Sequence, residues 1–110
     1  MTQPVILRGI ELRYVLTRHL QLSGPMTVAA LVEDLEDCGF GFVGRPSKAV
    51  SDALRWEVER DRVRRLRRGR YGPGAMPRST EHHIRKRVQA LRAAASKARG
   101  DDAFWDALGA

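Results

Sequence analysis

The chain has 110 residues, 43% of them apolar, with a net charge of +7 and a pI near 10.7. That length holds one domain and an appended helix, and the apolar content with its regular periodicity excludes an intrinsically disordered chain. The charge favours a polyanionic partner, nucleic acid before an anionic membrane, and no run reaches the ~18 consecutive apolar residues of a membrane span.

The charge is unevenly spread. The first 44 residues carry a net −2, residues 45–99 carry +12, and residues 100–110 carry −3. A merely solvated surface mixes its signs more evenly, so the basic surface belongs to the middle of the chain. Cys38 is the only cysteine; it excludes an internal disulfide and fits a reducing cytosol. Arg8, Glu11, Arg13 and Arg18 interrupt the N-terminal apolar run, which therefore does not read as a signal peptide.

In chain order, the spacing predicts a first helix from Val5 to Leu22, with Leu7, Ile10, Leu12, Tyr14, Leu16 and Leu20 on a broad apolar face. Gly9 falls inside it and weakens it by ~1 kcal/mol relative to Ala. Ser23, Gly24 and Pro25 stop it. Thr27 is a good N-cap for a second helix, from Val28 to Cys38. Val28, Leu31, Val32 and Leu35 form its apolar stripe, and Glu33, Asp34, Glu36 and Asp37 make the rest acidic. Gly39 ends it.

From Gly39 to Pro46 the chain reads GFGFVGRP, a linker in which Phe40, Phe42 and Val43 plug the core. It matches G-x-G-x-x-G, but a nucleotide-binding loop follows a strand and opens directly into a helix. Here a helix precedes it, so the glycines read as turn formers.

Ser47 is placed to cap a third helix. Val50, Ala53, Leu54, Glu57 and Val58 share its apolar side, while Ser47, Lys48, Ser51, Asp52, Arg55 and Glu59 share a polar one. A hairpin follows: Arg62 to Arg67 as one strand, Arg68-Gly69 as a two-residue turn, and Arg70 to Gly72 returning. Gly69 supplies the positive φ of such a turn, and Leu66 is set opposite Tyr71.

Residues 72–77 form a linker. A fourth helix starts at Ser79 or Thr80 and runs to about Ala98, with Ile84, Val88, Leu91 and Ala95 in a seam that suits the first helix or a second copy of itself. Gly100 ends it, and the tail DDAFWDAL is acidic, with Phe104, Trp105 and Leu108 on one side.

No catalytic or metal motif emerges. His82 and His83 are adjacent and point apart on a helix, and with His19 and Cys38 they make no zinc spacing. Cys38, with four acids nearby in sequence, lacks the electropositive setting of a nucleophilic thiol. No enzyme, cofactor or metal is expected. The positive signal is the run Arg62, Arg64, Arg65, Arg67, Arg68 and Arg70, whose planar guanidinium forks suit phosphate. On the third helix Ser47, Lys48, Ser51 and Arg55 are the candidates for groove contact, with Arg55 able to make two bonds to guanine. Asp52 fits this less easily: it accepts from cytosine N4, repels phosphate, or pairs with Arg55 and orients it. Trp56 borders the apolar face and suits core packing or a dimer contact.

The order of elements and the pattern S-x-x-x-S-x-x-L-R…V-x-R…R-G-R-Y, from Ser47 through Leu54, Arg55, Val63 and Gly69 to Tyr71, resemble the winged helix-turn-helix family. The resemblance covers about Val5 to Gly72. It implies a mainly α fold with a small β-hairpin: a winged helix-turn-helix domain over 1–74, a C-terminal helix over 75–99, and a tail over 100–110. It also implies that Met26 sits in a short strand paired with the hairpin. In that family the third helix enters the major groove and the wing lies on phosphates or a minor groove.

The expected site is Ser47, Lys48, Ser51, Arg55, Arg64, Arg65, Arg67, Arg68 and Arg70, and the expected partner is double-stranded DNA. The expected role is that of a cytoplasmic, nucleoid-associated or transcription-regulating factor that dimerises through the helix from Ser79 to Ala98. The alternatives are a protein-interaction module, with the acidic second helix and the tail as its contacts, or an RNA-binding winged domain.

Overall fold

The structure, a computed structural model, describes residues 3–109, with side chains through residue 98. Four helices and two small sheets make a mainly α fold. In order they are β1 (Val5–Leu7), α1 (Gly9–Ser23), β2 (Met26–Thr27), α2 (Val28–Asp37), β3 (Phe40–Phe42), α3 (Pro46–Glu59), β4 (Val63–Arg67), β5 (Arg70–Pro73) and α4 (Arg78–Gly109).

The first helix does not begin at Val5. Val5, Ile6 and Leu7 form β1 and pair in parallel with β3, Val5 opposite Phe40 and Leu7 opposite Phe42. A three-residue apolar run fits either period, and its partner lies more than 30 residues away. Gly41 lies close under the neighbouring strand: a Cβ there would come within 2.8 Å of the Ile6 Cδ1 and 3.2 Å of Pro4, so both side chains would have to shift. Gly9 thus stands at the start of α1, not inside it.

The residues expected to form a plain linker are therefore partly a strand. Phe40 is buried in the core, Phe42 is half-buried, and Val43 is exposed to solvent. The glycines of the G-x-G-x-x-G match lie at the end of α2, within β3 and before α3, so all three serve the chain path.

The core joins Leu7 of β1 to Leu12, Val15, Leu16 and Leu20 of α1, Leu31 and Leu35 of α2, Val50 and Leu54 of α3, and Val63 of β4. Ile10, expected on the apolar face of the first helix, is half exposed at its outer end. The Thr27 hydroxyl accepts from the Ala30 N–H at 3.2 Å and caps α2 as the sequence predicts. Ser47 does not cap α3. The helix opens one residue earlier, on Pro46, with Arg45 as an N-cap that makes no side-chain bond. Proline suits the first helical position because its missing N–H would have no helical partner there.

The second sheet runs β2-β5-β4, all antiparallel. Met26 pairs with Tyr71 and Thr27 with Arg70, so the hairpin gains its third strand from the segment before α2. Gly69 takes φ +72° at the turn. Leu66 does not face Tyr71: the strand bulges between Arg65 and Arg67, and Arg65 takes that place. A bulge adds one unpaired residue to a strand, a feature of pairing geometry that alternation alone does not signal.

The fourth helix starts at Arg78, before Ser79 and Thr80, with the Glu81 N–H bonded to the Pro77 carbonyl at 3.0 Å. It continues past Gly100, since glycine in a helix interior costs ~1 kcal/mol and does not forbid the helix. Ile84, Val88 and Ala95 are buried in the chain's own core, with Leu91 packed against them. That seam is filled by the same chain, so it is not open to a second copy. The side chains of the tail, including Phe104, Trp105 and Leu108, lie outside the described residues.

Candidate nucleic-acid interface

The inner side of α3 carries Val50, Ala53, Leu54 and Glu57, all buried. Its outer side carries Ser47, Lys48 and Arg55, which are exposed, and Ser51, which is half-buried. The Lys48 Nζ lies 3.0 Å from an Asp52 carboxylate oxygen, one helical turn on. Asp52 therefore pairs with Lys48 and not with Arg55. The i, i+4 spacing sets both side chains over the same turn. Arg55 makes no ion pair among the described residues.

The hairpin presents Arg64, Arg65, Arg67, Arg68 and Arg70, all exposed, and none of their guanidinium groups is in an ion pair or hydrogen bond among the described residues. Five unneutralised guanidinium groups on one short hairpin repel one another and favour a polyanion. Ser51, Arg55 and Val58 of α3 face Arg65 and Tyr71 of the sheet across a cleft of about 240 Å³. The fold thus brings Ser51, Arg55 and Arg65 together. Ser47 lies at the N-terminal end of α3, and Arg67, Arg68 and Arg70 surround the hairpin turn.

Tyr71 and Val58 complete the cleft and were not among the sequence candidates. Side-chain alternation alone sets Tyr71 against Leu66, and only the bulge sets it beside Arg65. A larger depression of about 420 Å³ lies along the other side of α3, where Ala49, Ala53 and Trp56 meet Leu7, Leu12 and Val43. Its lining is mostly apolar, so it lacks the array of free cations that marks the hairpin side.

Arg62, one of the six arginines in the sequence cluster, does not join the exposed set. Glu57 is fully buried, and Arg62 grips it with Nε at 2.9 Å from one carboxylate oxygen and Nη2 at 2.6 Å from the other. The Thr17 hydroxyl donates to the same carboxylate at 2.7 Å, and Arg13 Nε donates at 3.1 Å. Burial pushes the Glu57 pKa up, but the hydrogen bonds from Arg62 and Thr17, the Arg62 charge and the Arg13 bond outweigh it and hold the carboxyl below its ordinary 4.5.

The sequence held one signal for this cluster: an acid among the apolar positions of the third helix. A buried carboxylate needs a cationic partner, but which of the many arginines supplies it is decided by the fold.

Trp56 does not enter the core. It is 51% exposed, and the guanidinium groups of Arg13 and Arg60 lie 5.5 and 5.1 Å from its ring centre. His19 is buried between Asp34, at 2.8 Å from Nε2, and Arg92, at 3.3 Å from Nδ1. Both ring nitrogens are thus engaged in joining α1 to α2 and α4.

No family of known proteins matches this chain, and no curated protein or solved structure is similar to it.

Proposed function

We propose that this chain is a small winged helix-turn-helix protein that binds duplex DNA, with α3 as its groove-reading helix and the β4–β5 hairpin as its wing. The observation that carries the reading is the contrast among its arginines. Inside the fold Arg13 and Arg62 are matched to Glu57, whereas Arg55, Arg64, Arg65, Arg67, Arg68 and Arg70 stand exposed without an acid beside a helix with short side chains at its N-terminal end. Such a surface meets a phosphate backbone with little desolvation of existing pairs. The arrangement of α1, β2, α2, α3 and hairpin, with β2 as third strand, supports the same reading.

In this mechanism Arg64, Arg67, Arg68 and Arg70 supply salt-sensitive affinity, and Ser51 and Arg55 supply selectivity at base edges. Lys48 has its charge partly satisfied by Asp52 and adds less. Ser47, freed from capping, is available for a phosphate or base contact at the helix start. The protein acts as a transcriptional regulator or nucleoid-associated factor.

Fluorescence anisotropy on a random duplex, a single strand and an RNA hairpin, across a salt series, tests the proposal. The duplex is expected to bind best. In Arg67→Ala/Arg68→Ala the slope of log K against log salt falls in magnitude by up to ~2, at roughly 0.9 per lost phosphate contact. Tighter binding of the RNA hairpin would turn the reading to RNA. A slope unchanged in the double variant would remove the wing from the interface. Arg55→Ala is expected to cost ~1–3 kcal/mol at one base pair and to relax preference there. Equal weakening on all duplexes would make Arg55 a phosphate contact.

A further inference from the structure

The most constrained polar cluster in the molecule is not on its DNA-facing surface. It lies behind it, where the recognition helix turns into the wing. Glu57 is in the last turn of α3, Arg62 immediately precedes β4, and Arg13 and Thr17 are one turn apart on α1. The Glu57 carboxylate receives four hydrogen bonds from these three side chains. The Glu57 backbone carbonyl also accepts from the Arg60 N–H at 3.2 Å and the Arg62 N–H at 3.1 Å. Between these donors the chain reverses through Asp61 at φ +60°, a left-handed conformation that costs energy outside glycine and persists where its surroundings hold it. The Arg62 carbonyl in turn accepts from Gly74 at 3.0 Å and the Asp61 carbonyl from Ala75 at 3.0 Å, which fastens the far end of the hairpin to the same corner.

We infer that Glu57 is a positioning residue that fixes the wing at a set angle to α3, through its paired grip on Arg62. The return strand has its own restraint, since β5 pairs with β2 and the Gly69 carbonyl accepts from the Val28 N–H at 3.2 Å, but β4 is the edge strand, with only Val63 buried and Arg64 to Arg67 exposed. Paired on one side only, β4 takes its position against α3 from its root, which Arg62 forms. Arg62 is well suited to this task because its planar fork engages both carboxylate oxygens at once, which fixes direction as well as distance. Thr17 and Arg13 hold the carboxylate itself against α1, so helix and wing are both referred to one frame. The inference rests on the DNA-binding reading only for its consequence: that Arg55 in the groove and Arg67 and Arg68 on the backbone engage one duplex in a fixed register.

The geometric part is tested without DNA. In a Cys38→Ser background, spin labels at Ser47→Cys on α3 and Arg68→Cys at the hairpin turn report the distance distribution between helix and wing. A single narrow distribution is expected with Glu57 intact, and a clearly broadened one in Glu57→Gln, at a temperature where circular dichroism shows the variant folded. An unchanged width in folded Glu57→Gln overturns the inference. Where Glu57→Gln fails to fold, Arg62→Lys decides the point, because it keeps the positive charge and loses the two-bond grip.

The DNA part compares Arg55→Ala, Arg67→Ala/Arg68→Ala and their combination, with and without Glu57→Gln. With Glu57 intact the losses are expected to be coupled. With Glu57→Gln they become independent, and duplex affinity falls on the order of tenfold, within the range of coupling between linked sites. A merely structural Glu57 lowers the melting temperature and leaves the coupling as it was, which overturns the role. A broadened distribution in a protein whose wild type ignores duplex DNA keeps the role of Glu57 and removes the proposed function. Duplex binding with an unchanged distribution does the reverse.

Discussion

Two arginine-rich regions, a few residues apart, behave as opposites. At the root of the hairpin, Arg62 is 15% exposed at its side chain and bound to a buried carboxylate, with Arg13 at its other side. At the tip, Arg67, Arg68 and Arg70 are exposed and unpaired among the described residues. Nothing in the local sequence separates the two, since all belong to one basic run. The difference lies in what surrounds each guanidinium. An arginine whose charge is already met by a buried acid is part of the scaffold, and one that faces water without an acid is available to a polyanion.

The sharpest way to break this contrast is at the root. Glu57→Ala leaves Arg62 and Arg13 without their anion and is expected to destabilise the fold by about 3–5 kcal/mol in urea unfolding. A loss below about 1 kcal/mol would mean that the cluster is an ordinary surface pair.

Acid gives a second, graded probe. The folded-state pKa of Glu57 lies below its unfolded value near 4.5. Its contribution to stability is therefore complete above that value and is lost as pH falls through the folded pKa. A urea series from neutral pH down into the acid range is expected to show this loss, and Glu57→Gln is expected to flatten it.

At the tip the same substitutions should leave stability alone. Arg67→Ala/Arg68→Ala is expected to change unfolding free energy by no more than about 0.5 kcal/mol, as at other exposed positions without special contacts, while altering salt-dependent binding as described above. A clear loss of stability there would erase the distinction between root and tip. The smallest expected effect on binding is at the exposed pair on α3, where Asp52→Ala is expected to cost about 0.3–0.5 kcal/mol of stability. It also frees Lys48, so duplex binding is expected to strengthen slightly, measurable by the same anisotropy titration.

Much of the candidate interface was legible in the sequence. The outer side of α3 follows from a 3.6-residue period, and the Arg-Gly turn of the hairpin follows from the need for positive φ at Gly69. Thr27 as a cap also follows from local chemistry, whereas Met26 as a strand partner was implied only by the family resemblance. The errors share a cause. Val5 to Leu7 was read as helix because a short apolar run has no period of its own. Ser47 was read as a cap because a proline at the first helical position shifts the helix start by one residue. The Leu66–Tyr71 pairing failed because a bulge leaves no mark in the alternation of side chains.

By itself the sequence determined the order of the principal helices, the segregation of positive charge into residues 45–99, and the helix-then-hairpin element that carries it. These depend on neighbours within a turn or a strand, where spacing along the chain is spacing in the structure. Only the tertiary structure decided that β1 pairs with β3, that the seam of α4 is consumed by its own core, and that Arg62 belongs to Glu57 while Arg65 belongs to the cleft. Those outcomes are set by contacts between residues far apart in the chain. A charge acquires its role from the groups packed around it, and the packing exists only once the chain has folded.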